Sequence, residues 1–406
     1  MTDMKKRQVI VVGGGIGGSS AAFHMKQLGI DVLMLEKDQF PRDKPCGDGV
    51  IPAVFPVLRN MGVYDQVVAE GYPSGYIRLY APDDTYFRMS NTTTLEGEEA
   101  PMYCIPRYRF DDMVNKAAVN AGVDYLENFE VTEILMERGQ AKGIRGIHNG
   151  KAVEIESDMV VLASGSHSMV ARQMGFYEEN PDYVFYGLRG YFNDIEGLED
   201  VEFYYPDKFL PTGYIWLFPT GKTSANVGVF ITESALKKTG MTSEELLWEW
   251  IGNTHMGHKR LGHAKLIGKL KGWRLPSGKR KPIYAGGVMA VGDAGNMIEQ
   301  YGGGGIPQAM VAGTIAAQTA KNAIQANDFS KAFMKNYSDA VDQAFSATYI
   351  GMEALRQYAF GTPEQLKNTI NWMNEHEAED ASMQDYLFKG LKLDPTKLAG
   401  QMMSHF

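Results

Sequence analysis

Residues 7–38, "RQVIVVGGGIGGSSAAFHMKQLGIDVLMLEKD", constrain the fold of this chain more than any other stretch. Gln8 to Val12 is a short apolar run suited to a buried parallel strand. Gly13, Gly15 and Gly18 follow at the spacing of a dinucleotide-binding turn. The first glycine permits the turn, the second lets a pyrophosphate approach the backbone, and the third lets helix and strand pack closely. "SSAAFHMKQLG" reads as a helix ended by Gly29, and "DVLMLEK" as a second strand. Glu36 stands at the end of that strand with Lys37 beside it, where a carboxylate can hold ribose hydroxyls. An acid rather than an arginine at this place favours FAD or NAD over NADP.

The remaining composition narrows the class. A chain of 406 residues can bury a large core and divide into two or three regions. Two cysteines, Cys46 and Cys104, cannot build a disulfide framework, so a reducing, cytoplasmic setting is expected. The apolar run after the basic N-terminus is too short for a signal core, and no stretch of ~18 apolar residues predicts a membrane span. A net charge of −9 argues against nucleic acid as a partner. His255, His258 and His263 fit one helix poorly and have no cysteine or carboxylate between them, so no metal site is expected.

A second glycine-rich segment separates FAD from NAD. "GGVMAVGDAGNMIEQYGGGGIPQAMVAGTIAAQTAKNAI" reads as a strand ending at Gly292-Asp293, a glycine-dense turn, and a long small-residue helix from near Pro307. It resembles the second flavin fingerprint of the glutathione-reductase-like FAD enzymes, the superfamily related to p-hydroxybenzoate hydroxylase. The resemblance implies that Asp293 contacts the ribityl chain. It also implies that Gly304, Gly305 and Ile306, at the positive end of the following helix, face the isoalloxazine ring. "MYCIPRYRFDDMV" (102–114) and "DMVVLASGSHSMVAR" (158–172) resemble the group's two intermediate landmarks, with Arg107 matching its arginine near the flavin. Ser164-Gly165 stands where the group has Asp-Gly, which argues against tight pyridine-nucleotide binding and leaves FAD as the expected cofactor.

"KPCGDG" (44–49) and "PTGYIWLFPTGKTSANVGVF" (211–230) together resemble the geranylgeranyl reductase family of flavoproteins. In that family a Cys-Gly motif follows the first strand–helix–strand, and a Tyr-x-Trp-x-Phe-Pro strand lines the substrate cavity. Here these are Cys46-Gly47 and Tyr214, Trp216, Phe218 and Pro219. The resemblance implies an enzyme that saturates isolated double bonds of prenyl chains on lipids, quinones or related isoprenoids with reduced FAD. It also implies a transient electron donor, NAD(P)H or a ferredoxin-like protein, since no second fingerprint offers a resident nicotinamide. Taken by itself, "YIWLFP" alternates so that its three aromatics share one strand face, as a core would also require. The following proline stops the ladder, as at an edge or a cavity mouth.

Cys46 and Asp48 are the catalytic candidates. Backbone N–H groups around Gly47-Asp48-Gly49 can form an anion-favouring nest and lower the thiol's pKa, so that Cys46 donates a proton or shapes the cavity. Asp48 is the alternative proton source, although a loop carboxylate is more often a turn residue. Competing readings are a flavin monooxygenase or halogenase, and a non-catalytic prenyl carrier. A halogenase needs a lysine in the strand region after the first flavin unit, and residues 71–90 contain none.

The fold class expected is α/β, or α+β overall: a Rossmann-like FAD-binding domain with an inserted β-rich substrate domain and a helical C-terminal region. The expected boundaries are 1–55, 102–175 and 283–325 for the FAD domain, 56–101 and 176–282 for the substrate domain, and 326–406 for the helical region. From Trp250 to Gly292 there is no acid, while Lys259, Arg260, Lys265, Lys269, Lys271, Arg274, Lys279, Arg280 and Lys281 crowd together. This segregation suits either an anionic partner, such as phospholipid at the inner membrane face, or a solvated basic face.

Overall fold

The computed structural model describes residues 5–90, 92–95, 98–176, 180–207, 212–277 and 282–376. The first sheet is built as the glycine spacing predicts. Strand β1 (Arg7–Val12) leads through the glycine turn into helix α1 (Ile16–Gln27) and then strand β2 (Val32–Leu35), parallel to β1. Gly13 adopts φ 107°, and a Cβ there would meet the carbonyl of Ala163 at 2.3 Å. A Cβ on Gly18 would lie 1.8 Å from the Gly13 carbonyl, so only glycine lets α1 pack this closely on the turn. Helix α2 (Arg107–Asn120) packs on α1. The long strand β3 (Lys151–Leu162) has two uses: residues 157–162 pair parallel with β1, and residues 151–156 pair antiparallel with the strand Gln140–His148. The short strand Val288–Ala290 joins the end of β3. The helices Phe55–Asn60 and Tyr64–Glu70 place Phe55, Leu58 and Val67 in the same core as this sheet.

The second sheet has seven strands. Its centre is formed by β4 (Val184–Asn193), β5 (Gly213–Pro219) and β6 (Ala225–Thr232), with β7 (Lys265–Pro276) at one edge and Tyr86–Ser90 at the other. Period-two alternation along β5 divides its side chains between two cores. Ile215 and Leu217 pack with Val227, Val229 and Trp250 on one face. Tyr214 and Trp216 pack with Phe230, Tyr205, Tyr301 and Phe360 on the other. Pro219 ends its strand as expected, yet β5 is not at an edge. It lies between β6 and the strand Val201–Tyr204, and Pro219 pairs with Ala225 at the mouth of a hairpin. A proline fits there because it is the terminal residue of the ladder.

Helix α3 (Ile306–Ala326) lies against α1, and α4 (Lys331–Ala354) packs on α3. Tyr337 and Tyr349 of α4 donate to the carbonyls of Ala290 and Met297, tying α4 to the second glycine-rich segment. A π-helical turn over Leu355–Ala359 leads into α5 (Pro363–His376). Leu366, Ile370 and Met373 of α5 back the aromatic core of the second sheet, so this tail packs against the aromatic wall. The exposed end of α5 reaches Asn374 and Glu375, and the part of the expected helical region beyond residue 376 lies outside the described residues. No helix among the described residues is long and apolar enough to cross a membrane.

The basic segment is more neutralised than its sequence suggests. Arg260 pairs with Glu202, Lys265 with Asp194, Lys271 with Asp43 and Arg274 with Glu233. Lys279, Arg280 and Lys281 lie outside the described residues.

Candidate functional site

The two glycine-rich segments and the aromatic strand meet at one cavity of about 500 Å³. Gly13 and Gly15 from the first turn and Glu36 and Lys37 from the end of β2 line its first part. Cys46, Gly47 and Arg107 line the cavity as well, as do Asp293, Gly304, Gly305 and Ile306. Tyr214, Trp216 and Phe218 form the apolar wall together with Phe203, Phe230 and Leu275. Gly18, Asp48 and Pro219 are not in the wall: Gly18 packs on the turn, Asp48 lies behind it, and Pro219 sits at the hairpin.

This lining fits FAD. The N-termini of α1 and α3 both open into the cavity, presenting backbone N–H groups and the positive ends of two helices to a pyrophosphate and a flavin ring. Among the described residues, the only neighbour within 4 Å of where a Cβ on Gly15 would sit is the tip of Arg42, and at Gly304 there is none. Glu36 is buried and accepts from the backbone N–H of Gly14 at 2.7 Å and of Asp38 at 3.0 Å, which leaves lone pairs for ribose hydroxyls. Asp293 accepts from Lys44 Nζ at 2.9 Å, which ties the cysteine loop to the second glycine segment.

The loop around Cys46 is held from three directions. Asn226 Nδ2 donates to the Cys46 carbonyl and to Asp48 Oδ2, both at 2.7 Å, while Asn226 Oδ1 accepts from the Trp216 indole at 2.9 Å. Tyr191 donates to Asp48 Oδ2 at 2.6 Å, and the Arg107 backbone N–H to Asp48 Oδ1 at 3.2 Å. The ring of Phe218 lies against Gly47 and Gly49, and a Cβ on Gly49 would meet it at 2.6 Å. Asp48 itself adopts φ 69° and is fully buried. Burial pushes its carboxyl up to about 6, against the opposing pull of Tyr191, Asn226, Arg189 and Arg107.

Arg107 lies beneath the loop. Its Nε donates to Asp111 Oδ1 at 2.5 Å and its Nη2 to Asp111 Oδ2 at 3.0 Å, and Arg42 donates to the same carboxylate at 2.7 Å. Burial opposes ionisation of Asp111, yet the two guanidiniums hold its carboxyl below the usual range. Burial likewise opposes the Arg107 charge, and Asp111 and the Cys46 sulfur beside it raise its pKa further. A second buried acid, Glu299, accepts from the backbone N–H groups of Tyr301 at 2.5 Å and Gly302 at 2.6 Å. Burial pushes Glu299 up to about 7. The Gly302 carbonyl accepts from the Tyr214 hydroxyl at 2.6 Å, so Glu299, the glycine turn and the aromatic wall are linked.

Several of these residues are marked in the sequence only in retrospect. Asn226 is the one strongly polar side chain in the apolar strand β6, and Arg189 the one charge in "YVFYGLRGYF". A lone polar residue on a buried strand face signals a buried partner. Among the described residues no group of His, Cys, Asp and Glu is placed to hold a metal ion.

The FAD binding domain family matches residues 6–317. The digeranylgeranylglycerophospholipid reductase of Methanocella arvoryzae is 31% identical over 83% of this chain and 83% of its own length. The crystal structure of a geranylgeranyl bacteriochlorophyll reductase-like protein from Thermoplasma acidophilum has a TM-score of 0.83 at 24% identity, covering 99% of this chain and 100% of its own. A flavin-dependent brominase shares the fold with a TM-score of 0.81 at 19% identity, over 98% of this chain and 99% of its own.

Proposed function

Since the chain belongs to the geranylgeranyl reductase family of FAD-binding flavoproteins and is an FAD-dependent oxidoreductase, we propose that it saturates isolated double bonds of a geranylgeranyl-type chain carried on a lipid. The observation that carries this reading is the apolar wall of Phe203, Tyr214, Trp216, Phe218 and Phe230, continuous with the glycine turn at residues 302–305. A halogenase or monooxygenase is the alternative, and the brominase likeness is one of fold alone.

An isolated alkene has no carbonyl to polarise it; reduced FAD, held by the two glycine turns and Glu36, would supply hydride to one carbon, and a protein group must supply a proton to the other. The reading assigns that proton to Cys46 Sγ, in the cavity wall next to Arg107. Asn226 holds the cysteine's carbonyl and so fixes where the thiol points. Asp48, behind the loop and bonded to Tyr191, is a positioning residue and a proton reserve rather than a group that touches substrate. Tyr214 and Trp216, each 5% exposed, exclude water from the chain's path. Electrons come from a transient donor, NAD(P)H or a ferredoxin-like protein, and the lipid is reached by peripheral contact with a membrane.

Mass spectrometry of lipids from a strain lacking the gene tests the substrate class. The expected result is that glycerophospholipids lose their saturated prenyl chains and accumulate unsaturated ones. A change confined to quinones would move the substrate to that class, and unchanged saturation in both would contradict the reading.

A further inference from the structure

We propose that Arg189 and Lys271 form a subsite for the phosphate ester of the substrate's head group at the rim of the cavity, an inference that rests on the prenyl-reductase reading above. Strands β4 and β7 pair with Arg189 opposite Lys271 and Gly187 opposite Trp273, and Gly187, Arg189 and Trp273 all line the cavity. Arg189 is 3% exposed. Its Nη2 donates to Asp43 Oδ1 at 2.5 Å, while its buried Nε has no hydrogen-bond partner among the described residues. A buried guanidinium N–H left unpaired is costly, so the group is explained if something else accepts from it. Lys271 donates to the other oxygen of Asp43 at 2.6 Å and retains two further N–H groups at a half-exposed position. Asp43 lies between the two cations and Asp48 also faces Arg189, so attraction for an anion rests on the unpaired Arg189 Nε and the remaining Lys271 N–H groups rather than on net charge.

The polarity of the wall points to the ligand. Along this face of the second sheet, side chains run from the buried Tyr214, Trp216 and Phe230 to Arg189 on β4 and Lys271 on the edge strand β7. A phosphorylated prenyl lipid has the same gradient: an apolar chain that is stable in the aromatic interior, and an anion that must stay hydrated or paired. A guanidinium matches phosphate oxygens in geometry as well as charge, and the ammonium beside it adds a second donor. The same chemistry could serve a phosphate of a pyridine nucleotide, so the test separates the two sources.

The experiment measures equilibrium binding to the oxidised, FAD-loaded protein of three probes: geranylgeranyl monophosphate, geranylgeraniol and NADPH. Variants are Lys271→Met, a surface change that the fold tolerates, and Arg189→Lys, which keeps the charge and removes the fork. The ratio of the Kd for the phosphate to the Kd for the alcohol is expected to rise roughly tenfold in each variant. An unchanged ratio in Lys271→Met together with flavin loss in Arg189→Lys overturns the proposal, as does an unchanged ratio in both with flavin retained. Loss of NADPH affinity without loss of prenyl phosphate affinity also overturns it, in favour of a donor site. If the ratio rises but the reduced protein saturates no prenyl chain, the subsite stands and the reductase reading falls.

Discussion

Reoxidation of the reduced enzyme by a prenyl substrate is expected to slow by roughly 10²-fold or more in Cys46→Ala, the usual worth of a positioned general acid. The thiol lies in the cavity wall, its carbonyl is pinned by Asn226, and Arg107 is its charged neighbour. FAD should stay bound, because the glycine turn, Glu36 and the N-termini of α1 and α3 are untouched. Reduction by dithionite should also survive, since that electron transfer needs no proton from Cys46 to an alkene. Cys46→Ser separates chemistry from shape: the hydroxyl has about the same size but is a far weaker acid. If serine restores the rate, the residue shapes the pocket and another group protonates the substrate. If alanine and serine both react at the parent rate in anaerobic single-turnover measurements, the thiol has no part in the chemistry.

The carboxyl of Asp48 should leave a second, thermodynamic mark. Burial raises its pKa in the folded protein to about 6, from an ordinary value of 3.8. The folded state therefore holds this proton more tightly than the unfolded chain does. The associated stability is fully present below pH ~4 and is lost as pH rises through ~6, a change of about 3 kcal/mol at its largest. Asp48→Asn keeps the shape and removes the titration. The difference in unfolding free energy, variant minus parent, should therefore rise between pH ~4 and ~6 and become flat near pH 7. Urea unfolding across that range measures it. A difference that falls as pH rises would mean that Tyr191, Asn226 and the Arg107 N–H stabilise the carboxylate more than burial penalises it.

The parts of this protein that the sequence made legible are local. The β1–α1–β2 unit could be read because strand, glycines, helix and terminal acid occupy one continuous stretch, each with its own physical signature. The common face of Tyr214, Trp216 and Phe218 followed from period-two alternation, which does not depend on what the strand packs against. The Asp48 network could not be read in this way. Its partners Arg107, Tyr191 and Asn226 lie 59, 143 and 178 residues away, and an aspartate in a glycine turn has the same appearance whether buried or exposed. Pro219 illustrates a related gap, because whether a strand is central or at an edge is a property of sheet order. The basic segment illustrates another: Asp43 reaches Lys271 across 228 residues and Glu202 reaches Arg260 across 58, so a segregated run of charge became a set of ion pairs.

The central claim is that this flavoprotein passes a hydride and a proton to an isolated alkene, and anaerobic single turnover tests it most directly. The FAD-loaded protein is reduced with dithionite, freed of excess reductant and mixed with a digeranylgeranyl glycerophospholipid, while flavin absorbance and lipid mass are followed together. The account predicts that oxidised flavin returns without oxygen, and that the lipid gains two hydrogen atoms for each flavin reoxidised. Flavin that stays reduced until oxygen is admitted, with a lipid that gains oxygen, or halogen when halide is present, would contradict it.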